Sequence, residues 1–235
     1  MARNRAAVMA ELRRLMPRMG EERKALPFGL AAIDSHLPDG GLACGALHEI
    51  VPAAEGCIAA AFGFIAAALV RLAYPLLFVM PTYGLRPYRP HGRLHGHGLN
   101  ALGLDPARLI LVETAHRKET LWAMEEAVRS AAPAAVVGVI DTLDLKLSQR
   151  LHLAATDAEL PLFLLRPAAT LESSAAATRW RIDTAKAARD RFGLVTQPRW
   201  HLQLERCRNG RPGQWVVEYD HVAHRFSLAS ALADF

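Results

Sequence analysis

The stretch between Leu47 and Val70 constrains the fold more than any other part of the chain. Leu47-His48-Glu49-Ile50-Val51 is a short run with strand character, Pro52-Ala53-Ala54-Glu55-Gly56-Cys57 is a tight loop, and Ile58 to Val70 is thirteen residues without a charge before Arg71. A helix that is apolar all round belongs in an interior, and thirteen residues fall short of the roughly 20 that cross a bilayer. The stretch predicts a βα unit whose helix is buried under a sheet. In such a unit the loop is where a phosphate-cradling P-loop sits: glycines let backbone N–H groups wrap phosphate, a Lys reaches the outer phosphates and a Ser or Thr hydroxyl holds Mg²⁺. Here only Gly56 stands at the start of the helix, and Cys57 and Ile58 take the places of the Lys and the hydroxyl. Pro52, Ala53, Ala54, Glu55, Gly56, Cys57 and Ile58 thus form the scaffold of a nucleotide site with its chemistry removed. No cofactor is expected there.

The alternation continues. Leu76 to Met80 reads as a strand ended by Pro81, Leu99 to Val112 as helix, turn and strand, Thr120 to Ser130 as a helix, Ala134 to Ile140 as a strand, and Leu162 to Leu165 as a buried strand ending at Arg166-Pro167. Strand and helix alternating over residues 46–166 indicate a mainly parallel sheet flanked by helices, an α/β fold. Glu125 and Glu126 lie side by side, but adjacent helical residues point about 100° apart, so they read as a solvated edge rather than an acid/base pair. Asp141 ends its strand where an acid holding Mg²⁺ through water would stand; with no Lys or hydroxyl to complete the site, it reads as the cap of the helix through Leu145, Leu147, Leu151 and Leu153. Residues 168–178, rich in Ala, Ser and Thr, read as a mobile loop. Arg179-Trp180-Arg181-Ile182 and Trp200 to Arg208 follow as strands, and the turn Asn209-Gly210-Arg211-Pro212-Gly213 returns through Trp215 to Tyr219 as an antiparallel hairpin. Ahead of all this, Val8, Leu12, Leu15 and Met16 recur at helical spacing among Arg3, Arg5, Arg13 and Arg14, predicting an amphipathic basic helix. The chain divides into a basic helix and linker (1–25), a core (26–222) and a tail (223–235).

The net charge of +5 is unevenly spread: residues 1–24 carry +4 and residues 179–211 carry +6, so the remainder carries −5. Basic character confined to two segments suggests surfaces for an acidic partner, either DNA or protein, or else two solvated faces. Arg166, Arg179, Trp180, Arg181, Arg189 and Arg191 are the candidates: the arginines for phosphates or as the rim of a protein interface, Trp180 for base stacking or as core. Three cysteines without metal-ligand spacing read as reduced thiols of a cytoplasmic, soluble chain, and the N-terminus has no signal-peptide pattern. His91, His95 and His97 lie in a Gly- and Pro-rich loop without a fourth ligand, so no metal is expected.

Phe28-Gly29-Leu30-Ala31-Ala32-Ile33-Asp34, then Leu37, Gly40-Gly41-Leu42 and Gly45 ahead of a strand holding Glu49-Ile50, a loop and a helix, resemble the opening of a RecA-type core. In RecA-type ATPases the second core strand ends in a catalytic Glu; Pro81-Thr82-Tyr83 carries no acid. With this order, Leu102-Gly103-Leu104-Asp105-Pro106-Ala107-Arg108-Leu109, Leu121 to Ser130 and Leu162-Phe163-Leu164-Leu165-Arg166-Pro167 are similar to the ImuA proteins, RecA-related proteins of bacterial SOS mutagenesis. The resemblance spans most of residues 1–220. It implies a RecA-like fold and a role in DNA damage tolerance by error-prone translesion synthesis. The implied partners are ImuB, a Y-family polymerase homologue without activity, together with an error-prone replicative-type polymerase and RecA. A RecA-type sheet lacking Lys, hydroxyl and catalytic Glu has no clamp for phosphoryl transfer, so a non-catalytic adaptor is the expectation. The alternatives are a single-stranded-DNA-binding accessory factor and an ATP-binding regulator that uses Asp141.

Overall fold

The computed structural model describes residues 24–72, 75–82, 94–189 and 191–229; the expected basic helix over residues 3–16 lies outside them. The apolar runs pair into one nine-stranded sheet. Strands β3 (Leu47–Pro52), β4 (Leu76–Pro81), β5 (Leu109–Thr114), β6 (Ala135–Val139) and β7 (Leu162–Leu165) are parallel, and β8 (Thr178–Arg189) joins them beside β3. From β8 onward the sheet is antiparallel, through β9 (Val195–Cys207), β10 (Gly213–Asp220) and β11 (Arg225–Leu228). The order across the sheet is β11-β10-β9-β8-β3-β7-β6-β4-β5. A separate ribbon pairs β1 (Ala25–Leu26) with β2 (Leu42–Ala43). Strand β11 takes up part of the segment read as a tail and buries Phe226.

Each parallel strand sends alternate residues to opposite faces. Phe163 and Leu165 join the cluster around helix α2 (Ile58–Leu69), whereas Leu162 and Leu164 join the one around α4 (Arg117–Arg129) and α5 (Leu145–Asp157). The short helices α1 (Ala31–Asp34) and α3 (Gly96–Ala101) lie on the α2 side, contributing Ile33 and Leu99 to its cluster. The Ile33-Asp34 pair of the opening segment fixes the chain before β2, because the Asp34 carboxylate accepts the N–H groups of Phe28, Gly29 and Leu30 at 2.8, 2.9 and 3.1 Å. On the α2 side an aromatic cluster extends the core under the antiparallel strands. Trp180 is fully buried beside Phe28, Phe64 and Trp215, and Trp200 stacks on Tyr219 at 5.6 Å. Gly63 of α2 makes room for this packing, since a Cβ there would lie 2.6 Å from the Trp200 ring.

The helix faces correct one expectation. Glu126 is exposed, but Glu125 is buried at 8% side-chain exposure, held by Arg129 at 2.6 Å and Arg150 at 2.7 Å. A carboxylate facing the neighbouring helix needs such cations to offset its desolvation, and Arg150 comes from α5, a partner that helical periodicity within α4 does not disclose.

Candidate functional site

Helices α2 and α3 carry the chain from β3 outward to β4 and β5 on one face, and α4 and α5 carry it back to β6 and β7 on the other. This reversal sets β3 directly beside β7. The carboxyl ends of the two strands form the topological switch point, the place where open α/β sheets bind ligands. Three candidates of the sequence meet there: the loop after β3, Asp141 beyond β6, and Arg166 at the end of β7.

The loop after β3 is closed on itself. The Ala53 N–H donates to the Ile182 carbonyl at 2.8 Å, and the Cys57 N–H donates to Ala54 O at 2.9 Å, winding Glu55–Cys57 into a 3₁₀ turn. The Cys57 thiol donates to Asp183 Oδ1 at 3.1 Å. Two of the backbone amides that would line an anion nest, those of Ala53 and Cys57, are thereby spent on the protein itself. Gly56 needs no special conformation, because a side chain there would meet nothing within 4 Å. Glu55 is exposed in the turn, and Asp183 carries a second acid against it. Beyond β6, Asp141 Oδ1 accepts the N–H of Thr142 at 2.7 Å. The cap of α5 is instead Asp144, which accepts Leu147 N–H at 2.8 Å, so the capping assigned to Asp141 belongs three residues later.

Below this rim lies a buried charge network. Glu49, on the same strand face as Leu47, is inaccessible to solvent and accepts from Arg179 Nε at 2.9 Å and Nη2 at 2.8 Å and from Ser174 Oγ at 2.8 Å. Arg166 is turned inward at 1% exposure, 3.9 Å from Glu49 and 3.0 Å from Glu172. Among the described residues its Nε and Nη1, and Oε1 of Glu49, have no hydrogen-bond partner. Burial lowers the Arg166 pKa from the usual arginine range while Glu49 and Glu172 pull it back up; the guanidinium keeps its charge. Arg206 donates to Ser174 Oγ at 3.1 Å and Ala176 O at 3.0 Å, and Arg208 to Ala175 O at 3.2 Å. Of residues 168–178, expected to be mobile, Thr178 opens β8 and residues 168–177 are stitched to the sheet by these bonds, burying Thr170, Ser174 and Ala176. Neither Glu49 nor Ser174 was a candidate from the sequence. The signal was present: a Glu inside an apolar parallel strand must have a cation, and Leu162-Phe163-Leu164-Leu165-Arg166 supplies one on the adjacent strand.

On the other side of β3, His48 is fully buried. Its Nε2 lies 3.0 Å from Ala43 O, which can only accept, so Nε2 carries the proton; Nδ1 then accepts from Thr178 Oγ1 at 2.8 Å, and Thr178 in turn accepts from Trp180 Nε1 at 3.1 Å. Burial pushes the His48 pKa down to about 4.

The remaining candidates are spread along β8 and its turn. Trp180 is in the core. Arg181 pairs with Glu205 on β9. Arg189 and Arg191 are exposed at the far end of the β8–β9 hairpin: Arg189 Nη1 donates to Gly193 O at 2.6 Å, and the Arg191 guanidinium lies 4.7 Å over the Phe192 ring. The six candidates therefore do not form one surface. Arg166 and Arg179 belong to the Glu49 network, and Arg189 and Arg191 to a projecting tip. His95 and His97 sit at the start of α3 with rings 5.4 Å apart, and His91 lies outside the described residues. Among the described residues no three His, Cys, Asp or Glu side chains gather as metal ligands, and no helix is long and apolar enough to cross a membrane.

No family model matches the sequence. The sequence is 35% identical over 230 residues to Protein ImuA of Caulobacter vibrioides, a match covering 89% of this chain and 90% of that protein, and it is the same for a second strain of that organism.

Proposed function

The chain belongs to the ImuA family, and from that premise we propose a non-catalytic, RecA-like accessory protein of damage-inducible mutagenesis. In this reading it docks an inactive Y-family polymerase homologue to the error-prone polymerase machinery. The observation that carries the non-catalytic part is the closed loop after β3. Phosphoryl transfer needs backbone donors, a cation and Mg²⁺ around the terminal phosphates. At this loop the amides of Ala53 and Cys57 are already bonded, no cationic side chain stands in the turn, and Glu55 and Asp183 add negative charge where a triphosphate would lie. The strand order, the flanking helices and the position of the loop at the switch point support a RecA-like core. What such a core offers is a rigid platform whose binding groups lie away from the emptied loop.

The docking reading is tested by co-purification with the inactive Y-family homologue, alongside damage-induced mutation frequency in a strain carrying the chain with Asp141→Asn or Cys57→Ser. An adaptor forms a stable complex, and both variants support mutagenesis at the unsubstituted level. Loss of mutagenesis in Asp141→Asn with the complex intact would show that nucleotide chemistry is required, and absence of a complex would remove the adaptor role.

A further inference from the structure

Strand β8 pairs with β3 only as far as Ile182, and β9 pairs with β10 only from Arg199. Beyond those points the two strands continue paired with each other up to Arg189 and Val195. At about 3.3 Å per residue, residues 183–189 carry this ribbon some 20 Å past the last β3 pairing. A two-stranded ribbon by itself is marginal in water, and this one ends in apolar surface: Phe192, Leu194 and Val195 are 72%, 65% and 57% exposed. Around them stand Lys186, Arg189 and Arg191, all exposed. The turn is shaped by its own cations, with Arg189 on Gly193 O and Arg191 over the Phe192 ring.

We propose that the β8–β9 tip is a single-stranded nucleic-acid contact, in which Phe192 stacks on an unpaired base and Arg189 and Arg191, with Lys186 behind them, hold the flanking phosphates. Every nucleotide presents a flat π face beside a negative charge, and an exposed ring with arginines close by in sequence matches that pairing. Three cations against one acid, Asp190, leave residues 186–195 with a net charge of +2 that favours an anionic ligand, and the ring distinguishes an unpaired base from a duplex, whose bases are already stacked. A narrow ribbon also reaches a strand without requiring a groove in the body of the protein. The assignment goes beyond the adaptor reading and stands or falls without it, because its ligand is nucleic acid alone.

The test is fluorescence polarisation of the full-length protein with a labelled oligothymidylate of about 30 nucleotides, longer than a single-strand site, and with a blunt duplex as competitor. The wild-type protein binds the oligothymidylate in preference to the duplex. Arg189→Gln with Arg191→Gln weakens binding at least tenfold and lowers the slope of log K against log salt by about 1.4, roughly 0.7 for each phosphate no longer neutralised. Phe192→Ala weakens it by about 5- to 150-fold at unchanged slope, and Phe192→Trp restores affinity with indole fluorescence quenched on binding. Circular dichroism and melting show that these exposed-tip variants fold. The proposal is overturned by absence of saturable binding to the wild-type protein, or by variants that bind within twofold of it. It is equally overturned if Phe192→Ala leaves single-strand affinity intact while abolishing capture of the polymerase homologue, which would assign the tip to protein.

Discussion

Replacing Glu49 by Gln removes one charge from a buried cluster while keeping its volume, and the structure fixes what is left behind. Arg166, at 1% exposure, loses its partner at 3.9 Å and keeps Glu172; Arg179, at 13%, loses two charge-assisted bonds and keeps the Glu172 carbonyl. Breaking a buried ion pair by deleting one member costs about 3–5 kcal/mol, because the other charge stays desolvated. The partial access of Arg179 and the remaining Glu172 interaction place this variant at the lower end, about 3 kcal/mol. For a chain of this size each kcal/mol moves the midpoint by roughly 2–4 °C, so the melting temperature should fall by about 6–12 °C. Urea unfolding followed by tryptophan fluorescence gives the free energy directly. The control is Glu172→Gln: that carboxylate is 50% exposed, and its loss should cost under about 1 kcal/mol. Limited proteolysis should also find new cleavage within 168–177 in Glu49→Gln, since the carboxylate that Arg179 and Ser174 share is gone. A Glu49→Gln protein destabilised by less than about 1 kcal/mol, or no more than Glu172→Gln, would show that Arg166 and Arg179 do not depend on this carboxylate.

Two further outcomes follow from the packing. His48 has a folded pKa of about 4 against 6.5 unfolded, so the unfolded chain binds the extra proton between those values; its contribution is complete above pH 6.5 and is lost as pH falls toward 4, amounting to about 3 kcal/mol, and the fall in urea-unfolding free energy between those pH values should be smaller by that amount in His48→Gln. Gly63→Ala should destabilise by about 1–3 kcal/mol through the 2.6 Å approach to Trp200, opposite to the gain of up to about 1 kcal/mol that Ala brings to an ordinary helix interior, and Trp200→Leu in the same chain should relieve the overpacking when both are measured by thermal melting.

The parallel half of the sheet was legible because its strands are buried on both faces and read as unbroken apolar runs, Leu162-Phe163-Leu164-Leu165 above all. Non-local partnership was not legible. Nothing within the helix around Glu125 announces Arg150, and the Ala-, Ser- and Thr-rich composition of 168–178 conceals that Glu49, Ser148 and Arg206 hold it. Asp141 and Asp144 are both capping residues by type, and only the backbone direction after β6 decides between them. The β8–β9 ribbon reads short in sequence because Ala185, Lys186, Ala187 and Ala188 are weak strand formers; the partner strand imposes the extended form, with register shifts at Ala185/Ala188 and Ala188/Arg189. The emptied loop was readable residue by residue, yet its closure through Ile182 and Asp183 required β8 to be placed beside β3.

Whether the loop after β3 holds a nucleotide is decided by a titration of the purified, nucleotide-free protein with a fluorescent ATP analogue and Mg²⁺. A closed loop without a cationic side chain gives no saturable signal up to millimolar nucleotide, with or without Mg²⁺. Saturable micromolar binding that is lost in Asp141→Asn would contradict this and make the switch point a working nucleotide site.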